Sequence, residues 1–432
     1  MQRGVIPRDI IRLAEARGSL GGDEVVRVVR DCINGLARPP AKVLLVPPDI
    51  TRLHSGAGPV ACTFYEALKE TAEVRLLPAL GTHTPMTEKE AADMYPSVPF
   101  ECFIHHDWRD GVESVGAIPA GLMAELSGGY IREELPVKIN RRLLEPWDLI
   151  VSIGQVVPHE VAGLANYTKN IVIGCGGKEV IDRSHIVSAL FGIEKTLGEP
   201  DTPVRTLLDY AQENLLGGLP LLYVLTVTGT DEGSRGGLAG IFAGTTRSVF
   251  EKAADLCRRE SIHYVREPLE KVVVYLDPRK FKTTWLGNKA IYRTRMALAE
   301  GAELLVMAPG VRRFGEDGRN DELIRRYGYK GTREVLELLE KNADLKENLG
   351  VAAHLIHGSS EGRFTVRYAV RDLTEDEIES VGYEHAFFDE LSGDFDIEGW
   401  TDGFKTTASG ESVYYIADPA VALWKASKGG GA

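Results

Sequence analysis

The chain has 432 residues, too many for one core, and its 44% hydrophobic and 26% charged content is that of a globular protein of two or three domains. Its 63 acidic against 50 basic residues leave a net charge of −13, which offers no basic field for nucleic acid, and no apolar run is long enough to span a bilayer. The five cysteines (Cys32, Cys62, Cys102, Cys175, Cys257) are odd in number, scattered and without a CxxC pair, which argues against a disulfide scaffold and a thiolate zinc site; with no apolar signal core in residues 1–7, the expected location is a reducing cytoplasm.

In chain order the first element is a buried strand over 42–46, stopped by Pro47 and Pro48. It is followed at once by Asp49-Ile50-Thr51-Arg52. A second strand over 73–80 runs into Gly81-Thr82-His83, and Thr87 with Glu90 matches a capping box for the next helix. His105 and His106 are adjacent, so they diverge on a strand and read as a structural loop. A third strand over 147–153 leads to Pro158-His159. Asn166-Tyr167-Thr168-Lys169 precedes a fourth apolar run over 170–173, read as a strand, and then Gly174-Cys175-Gly176-Gly177-Lys178. A fifth strand covers 221–228, and the glycine-rich stretch 228–237 reads as a mobile loop. The composition changes at 258–268, which sets a domain boundary near 266. The second α/β unit has a strand over 271–276, a helix over 288–300 and a strand over 303–308. His354 and His357 read as structural, and the tail 428–432 as frayed. The expected architecture is α/β: two α/β domains with mainly parallel sheets, an N-terminal domain over 1–266 and a C-terminal domain over 267–432 that closes an active site in the interdomain cleft.

Three polar clusters follow three strands, and in open parallel sheets the carboxyl ends of strands line the ligand crevice. Arg52 is suited to forking a carboxylate or phosphate. His83 sits beside a glycine that permits close ligand approach. His159, Lys169 and His185 together offer imidazole acid/base or metal-binding groups around an amine that can carry a covalent group. Gly176 and Gly177 can present backbone N–H groups to a phosphate, and Lys289 can bring positive charge from the second domain.

With these residues the chain resembles the nickel-pincer lactate racemase family of 2-hydroxyacid racemases and epimerases over roughly residues 10–420. The matching motifs are Asp49-x-Thr51-Arg52, Gly81-x-His83, the Pro158-His159 pair with Lys169 ten residues on and His185 after it, and Lys289 at a helix start. The resemblance implies a nickel-pincer mononucleotide attached through a thioamide to Lys169, with nickel held by His185. It implies His83 and His159 as the acid/base pair, and Arg52 and Lys289 as binders of the substrate carboxylate. Asp49, Gly176 and Gly177 are expected as further cofactor contacts. The implied partners are a small 2-hydroxycarboxylate and the enzymes that make and load the cofactor, with no nucleic acid, no membrane and a possible homo-oligomer.

Two features depart from the lactate-specific pattern. The run before the anchor lysine is Leu164-Ala165-Asn166-Tyr167-Thr168, and Leu286 stands three residues before Lys289 where lactate enzymes carry glutamine. Asn166 and Tyr167 are expected to bond substrate hydroxyls, as in the sugar-acid epimerase branch acting on gluconate or mannonate. The alternatives are a racemase of a smaller acid such as lactate or malate, a metal hydrolase using His83, His159 and His185 as three ligands, and a non-catalytic cofactor carrier.

Overall fold

The computed structural model describes residues 11–15, 19–229, 237–420 and 422–427. The loop expected over 228–237 falls largely outside the described residues, and so does the tail 428–432. The chain divides into two units, Met1–Val187 with Thr196–Ser261, and Ser188–Lys195 with Ile262–Ala432. The division falls at 261 rather than 266 because Ile262–Val265 pairs in parallel with Leu423–Ala426. Segment 188–195 groups with the second unit because Glu194 takes bonds from Arg295 (3.0 Å) and Arg363 (2.6 Å).

The first unit is built on a six-stranded sheet. Its strands are β1 (Ile11–Glu15), β2 (Lys42–Val46), β3 (Glu73–Leu76), β4 (Leu149–Gln155), β5 (Leu221–Thr228) and β6 (Leu238–Gly244), in the order β1-β6-β5-β4-β2-β3. Strands β3, β2, β4 and β5 are mutually parallel, whereas β6 and β1 join antiparallel. The parallel strands are covered on both faces, so they read as unbroken apolar runs: Val43, Leu44, Leu45 and Val46 are all fully buried. Helices α1 (Gly22–Asn34) and α2 (Ala57–Leu68) cover one face with Val25, Val28, Phe64 and Leu68. Strand β2 has β3 on one side and β4 on the other. This is a topological switch point, where the carboxyl ends of neighbouring strands open a crevice.

Two expected elements differ. The run over 170–173 is not a strand but part of helix α3 (Thr168–Val172). A short buried apolar run carries no period that separates helix from strand. Here Asn170 turns into the sheet and donates to the Val46 carbonyl (2.9 Å) and Ser152 Oγ (3.0 Å), which a strand in that position could not do. Beyond it lie α4 (Lys178–Phe191), α5 (Pro203–Leu215) and α6 (Arg247–Ser261). The capping box of Thr87 and Glu90 forms as the sequence indicates.

The second unit has its own six-stranded sheet: β7 (Leu269–Tyr275), β8 (Leu298–Met307), β9 (Thr365–Val370), β10 (Glu384–Phe387), β11 (Gly403–Thr406) and β12 (Ser412–Ile416), ordered β10-β9-β8-β7-β12-β11. All pairs are parallel except β11 with β12. The helix expected over 288–300 is shorter, α7 (Lys289–Thr294). Strand β8 starts at Leu298, and Gly301 at φ +77° has left the helical region. In α8 (Leu349–Gly358) His354 is buried, with one ring nitrogen on Tyr292 Oη (2.9 Å) and the other on Tyr329 Oη (3.0 Å). Burial pushes its pKa down to about 3, so it is a neutral structural residue.

Candidate active site

A cavity of about 250 Å³ opens at the carboxyl ends of β2, β3 and β4, lined wholly by residues of the first unit. It brings together Asp49, Arg52, His83, His159, Asn166, Lys169 and His185. These come from the segments that follow β2, β3 and β4 and from helices α3 and α4, so their meeting is a consequence of strand order.

Arg52 lies in the turn after β2, held by the Asp49 cap at the start of Ile50–Ser55. Its guanidinium is exposed at the cavity and makes no hydrogen bond or ion pair to the described residues. Asp49 is buried. Burial alone would raise its carboxyl, but bonds from His83 and Thr51 and the nearby Arg52 charge outweigh this and hold it below the usual range. His83 Nδ1 donates to Asp49 Oδ2 at 2.6 Å, while Thr51 N–H (3.2 Å) and the Thr51 hydroxyl occupy Oδ1. Both oxygens of Asp49 are therefore committed within the protein. At the cavity wall, Asp49 orients His83 and leaves the Nε2 lone pair of that half-exposed ring available as a base.

His159 is arranged differently. Its Nδ1 accepts from the backbone N–H groups of Val161 (3.0 Å) and Ala162 (3.2 Å). The neutral ring must then carry its proton on Nε2, so His159 is a hydrogen-bond donor from that atom. His185, on α4, has Nδ1 donating to the Ile181 carbonyl at 2.6 Å. Burial depresses its pKa, opposed by the Ile181 bond and Asp182. A neutral imidazole with one N–H fixed on a backbone carbonyl presents its other nitrogen as a metal ligand.

Lys169 is the second residue of α3 and lines the cavity. Burial, then the charges of Arg52 and Arg205, push its amine down to about 8, with Glu160 opposing. An amine that loses its proton near neutrality is a competent nucleophile. The same shift affects stability. The folded pKa lies below the ordinary 10.5, so the cost of burying the charged amine is fully present below about pH 8 and is relieved as pH rises towards 10.5. Lys169→Met should stabilise the apoprotein by roughly 1–3 kcal/mol at about pH 7, and the gain should shrink at about pH 10. Urea unfolding of both proteins across that range checks this, and a gain constant with pH would mean the amine is not depressed.

Other expected positions fall elsewhere. Asn166 lines the cavity, with its Oδ1 accepting from the Tyr167 N–H at 2.8 Å, and a Cβ at Gly154 would collide with its amide. Tyr167 turns away into the core, its ring against Tyr223 (4.4 Å) and stacked on Phe250 (5.3 Å, 15°). Thr168 is buried, bonded to Asp209 (2.6 Å). The cause is backbone geometry: Asn166 and Tyr167 both have positive φ, 64° and 57°, which reverses the side-chain direction expected from an extended run. Each such residue costs about 1–3 kcal/mol and persists only where surrounding contacts enforce it. Gly176 and Gly177 do not line the cavity. Their N–H groups are taken by Ile173 O (3.1 Å) and Lys138 O (3.0 Å), so neither is free for a phosphate, and a Cβ at Gly176 would strike the Val172 carbonyl, so that glycine serves close packing. Lys289 opens α7 in the second unit. Among the described residues no three His, Cys, Asp or Glu side chains are grouped to hold a metal, so His83, His159 and His185 do not form the three-ligand hydrolase site. Gln155 and Ser184 also line the cavity without a signal in the sequence, because neither falls in a recognisable motif.

Fold and site together define an α/β protein with a lysine, an arginine and three histidines in one crevice. Residues 25–196 match the family model of the lactate racemase N-terminal domain. The part of the chain that carries most of the cavity lining is thus similar to the lactate racemase N-terminal domain. A crystal structure of a Thermotoga maritima protein superposes with a TM-score of 0.80 at 26% identity, covering 96% of this chain and 100% of that one. The lactate racemase apoprotein from Thermoanaerobacterium thermosaccharolyticum superposes at 0.68 with 15% identity, covering 94% of each chain, a likeness of fold. No curated protein matches the chain. Among the described residues no helix is long and apolar enough to cross a membrane.

Proposed function

We propose that the protein is an isomerase, a racemase or epimerase that inverts C2 of a 2-hydroxycarboxylate with a nickel-pincer nucleotide attached to Lys169. The observation that carries this reading is the convergence of Lys169, His185, His83 and His159 on one cavity with the Arg52 guanidinium unengaged beside them. The residues fit the cofactor: the Lys169 amine is depressed to about 8, and His185 directs a neutral nitrogen away from its Ile181 bond. When bound, the cofactor would accept and return the C2 hydride.

The chain's own residues do the rest. The C2–H of a hydroxycarboxylate resists deprotonation because the adjacent carboxylate disfavours a second negative charge, so inversion through a planar 2-keto acid is the easier route. Arg52 binds the carboxylate bidentately and keeps the keto acid from turning end over end. His83, held by Asp49, takes the hydroxyl proton at Nε2. With its carboxylate held, the planar keto acid turns about its C1–C2 bond so that the hydride would return to the opposite face, and His159 bonds the carbonyl oxygen through Nε2–H and supplies the hydroxyl proton as the inverted alcohol forms.

The substrate is a sugar acid of the gluconate or mannonate type in this reading. Of the expected hydroxyl-binding side chains only Asn166 reaches the cavity, and Thr82 and Gln155 add further polar lining. Sites that bond substrate hydroxyls can reject analogues lacking them by about 10⁴-fold or more. Loaded enzyme incubated in deuterated water with gluconate, mannonate, malate and lactate should invert C2 of an aldonate fastest while keeping protium there, read by NMR. Faster turnover of lactate or malate would instead assign a smaller acid. Deuterium entering C2 at the rate of inversion would remove the hydride route.

A further inference from the structure

We infer that Arg205 is a positioning residue for cofactor attachment, clamping the strained 164–168 turn so that Lys169 presents its amine to the cavity; this rests on the reading of Lys169 as the anchor. Arg205 is itself 1% exposed. From α5 its guanidinium donates to three groups of one turn: the Leu164 carbonyl (2.7 Å), the Asn166 carbonyl (3.2 Å) and Thr168 Oγ1 (2.8 Å). A planar fork reaches all three at once, which a lysine could not.

The same side chain reaches the second strained residue through a ring. The Arg205 guanidinium lies 4.4 Å from the Phe250 centroid, and Phe250 stacks on Tyr167. Both residues at positive φ, Asn166 and Tyr167, are thus held from one point. Thr168 completes the clamp, accepting from Arg205 while its hydroxyl donates to Asp209, which is itself ion-paired with Arg247. Lys169 is the next residue. Arg205 does not line the cavity, although its helix neighbours Val204 and Leu208 do, so it acts through the turn and not on substrate. A turn with two residues at positive φ would relax to ordinary backbone without these bonds and rotate Lys169 with it.

The test uses Arg205→Met, Thr168→Val and Thr168→Ser in the full chain, expressed with the cofactor-making enzymes. Two readouts are taken: the fraction of folded protein carrying the adduct mass on Lys169, and hydrogen exchange of amides 164–169. In Arg205→Met and Thr168→Val the adduct fraction should fall about tenfold or more, as for other partners that orient a ligating group. Exchange over 164–169 should rise while β2 and β4 are unchanged. Thr168→Ser keeps the hydroxyl and should behave as wild type. If Arg205→Met does not fold, Thr168→Val, which keeps the charge and removes only the hydroxyl link, decides. Normal adduct or unchanged exchange in that variant overturns the inference alone. A wild-type chain carrying no adduct overturns the proposed cofactor, and this inference with it.

Discussion

Lys169→Ala should yield a folded protein that carries no cofactor adduct and has no racemase activity. The loss is expected to be complete because among the described residues no other lysine lines the cavity. Burial and the flanking Arg52 and Arg205 also hold the Lys169 amine near a pKa of 8, where it reacts without a separate base. The side chain is half-buried at the cavity wall, and α3 is anchored beside it by Asn170 bonding to β2 and β4. Truncation should therefore leave the fold intact. Intact-mass measurement of wild type and variant, both produced with the loading enzymes, reads the outcome. An adduct of equal mass on the Ala variant, or undiminished turnover, would remove Lys169 from the anchor role.

The second large effect separates the three histidines by what each loses. His83→Ala should reduce turnover by about 10²–10⁴-fold while nickel content stays constant, as the proposed role of proton acceptor requires. Asp49→Asn should act in the same direction, since it withdraws the carboxylate that receives the His83 Nδ1–H. His159→Ala should also be slow. His159→Gln should retain more activity than His159→Ala, since an amide can still donate where the imidazole presents Nε2–H. The same Gln exchange at His83 should give no such rescue, because a base is required there. His185→Ala should lose nickel, as its neutral ring is preset by the Ile181 bond for coordination. Metal analysis beside initial rates distinguishes these patterns. Equal nickel loss in all three alanine variants would point to joint ligation and sink the division of roles.

The legible parts of the site were those where one residue type is tied to one strand end. Asp49-Ile50-Thr51-Arg52, Gly81-Thr82-His83 and Pro158-His159 each follow an apolar run, and those runs are β2, β3 and β4, adjacent and parallel in one sheet. Their convergence follows from topology, and the apolar runs already announced a parallel sheet. What failed was direction. Asn166-Tyr167-Thr168 has three polar side chains in sequence, but two successive positive-φ residues send Tyr167 and Thr168 into the core. No residue type in that run announces such a backbone, because Asn tolerates it and Tyr does not favour it. The clamp that enforces it, Arg205, lies 39 residues from the Asn166 carbonyl it holds.

Amino-acid order alone thus determined that this is an α/β protein, where its sheet ends lie, and which lysine, arginine and histidines stand at them. Such information is local: apolar runs set strands, and breaks in those runs set the loops that carry chemistry. The tertiary structure alone decided which of those groups are free to act. It committed both oxygens of Asp49 to His83 and Thr51, spent the N–H groups of Gly176 and Gly177 on backbone carbonyls, and gave the two histidines opposite proton arrangements through different Nδ1 partners. A side chain's chemistry depends on which partner reaches it first, and those partners are brought from far along the chain only when the sheet closes.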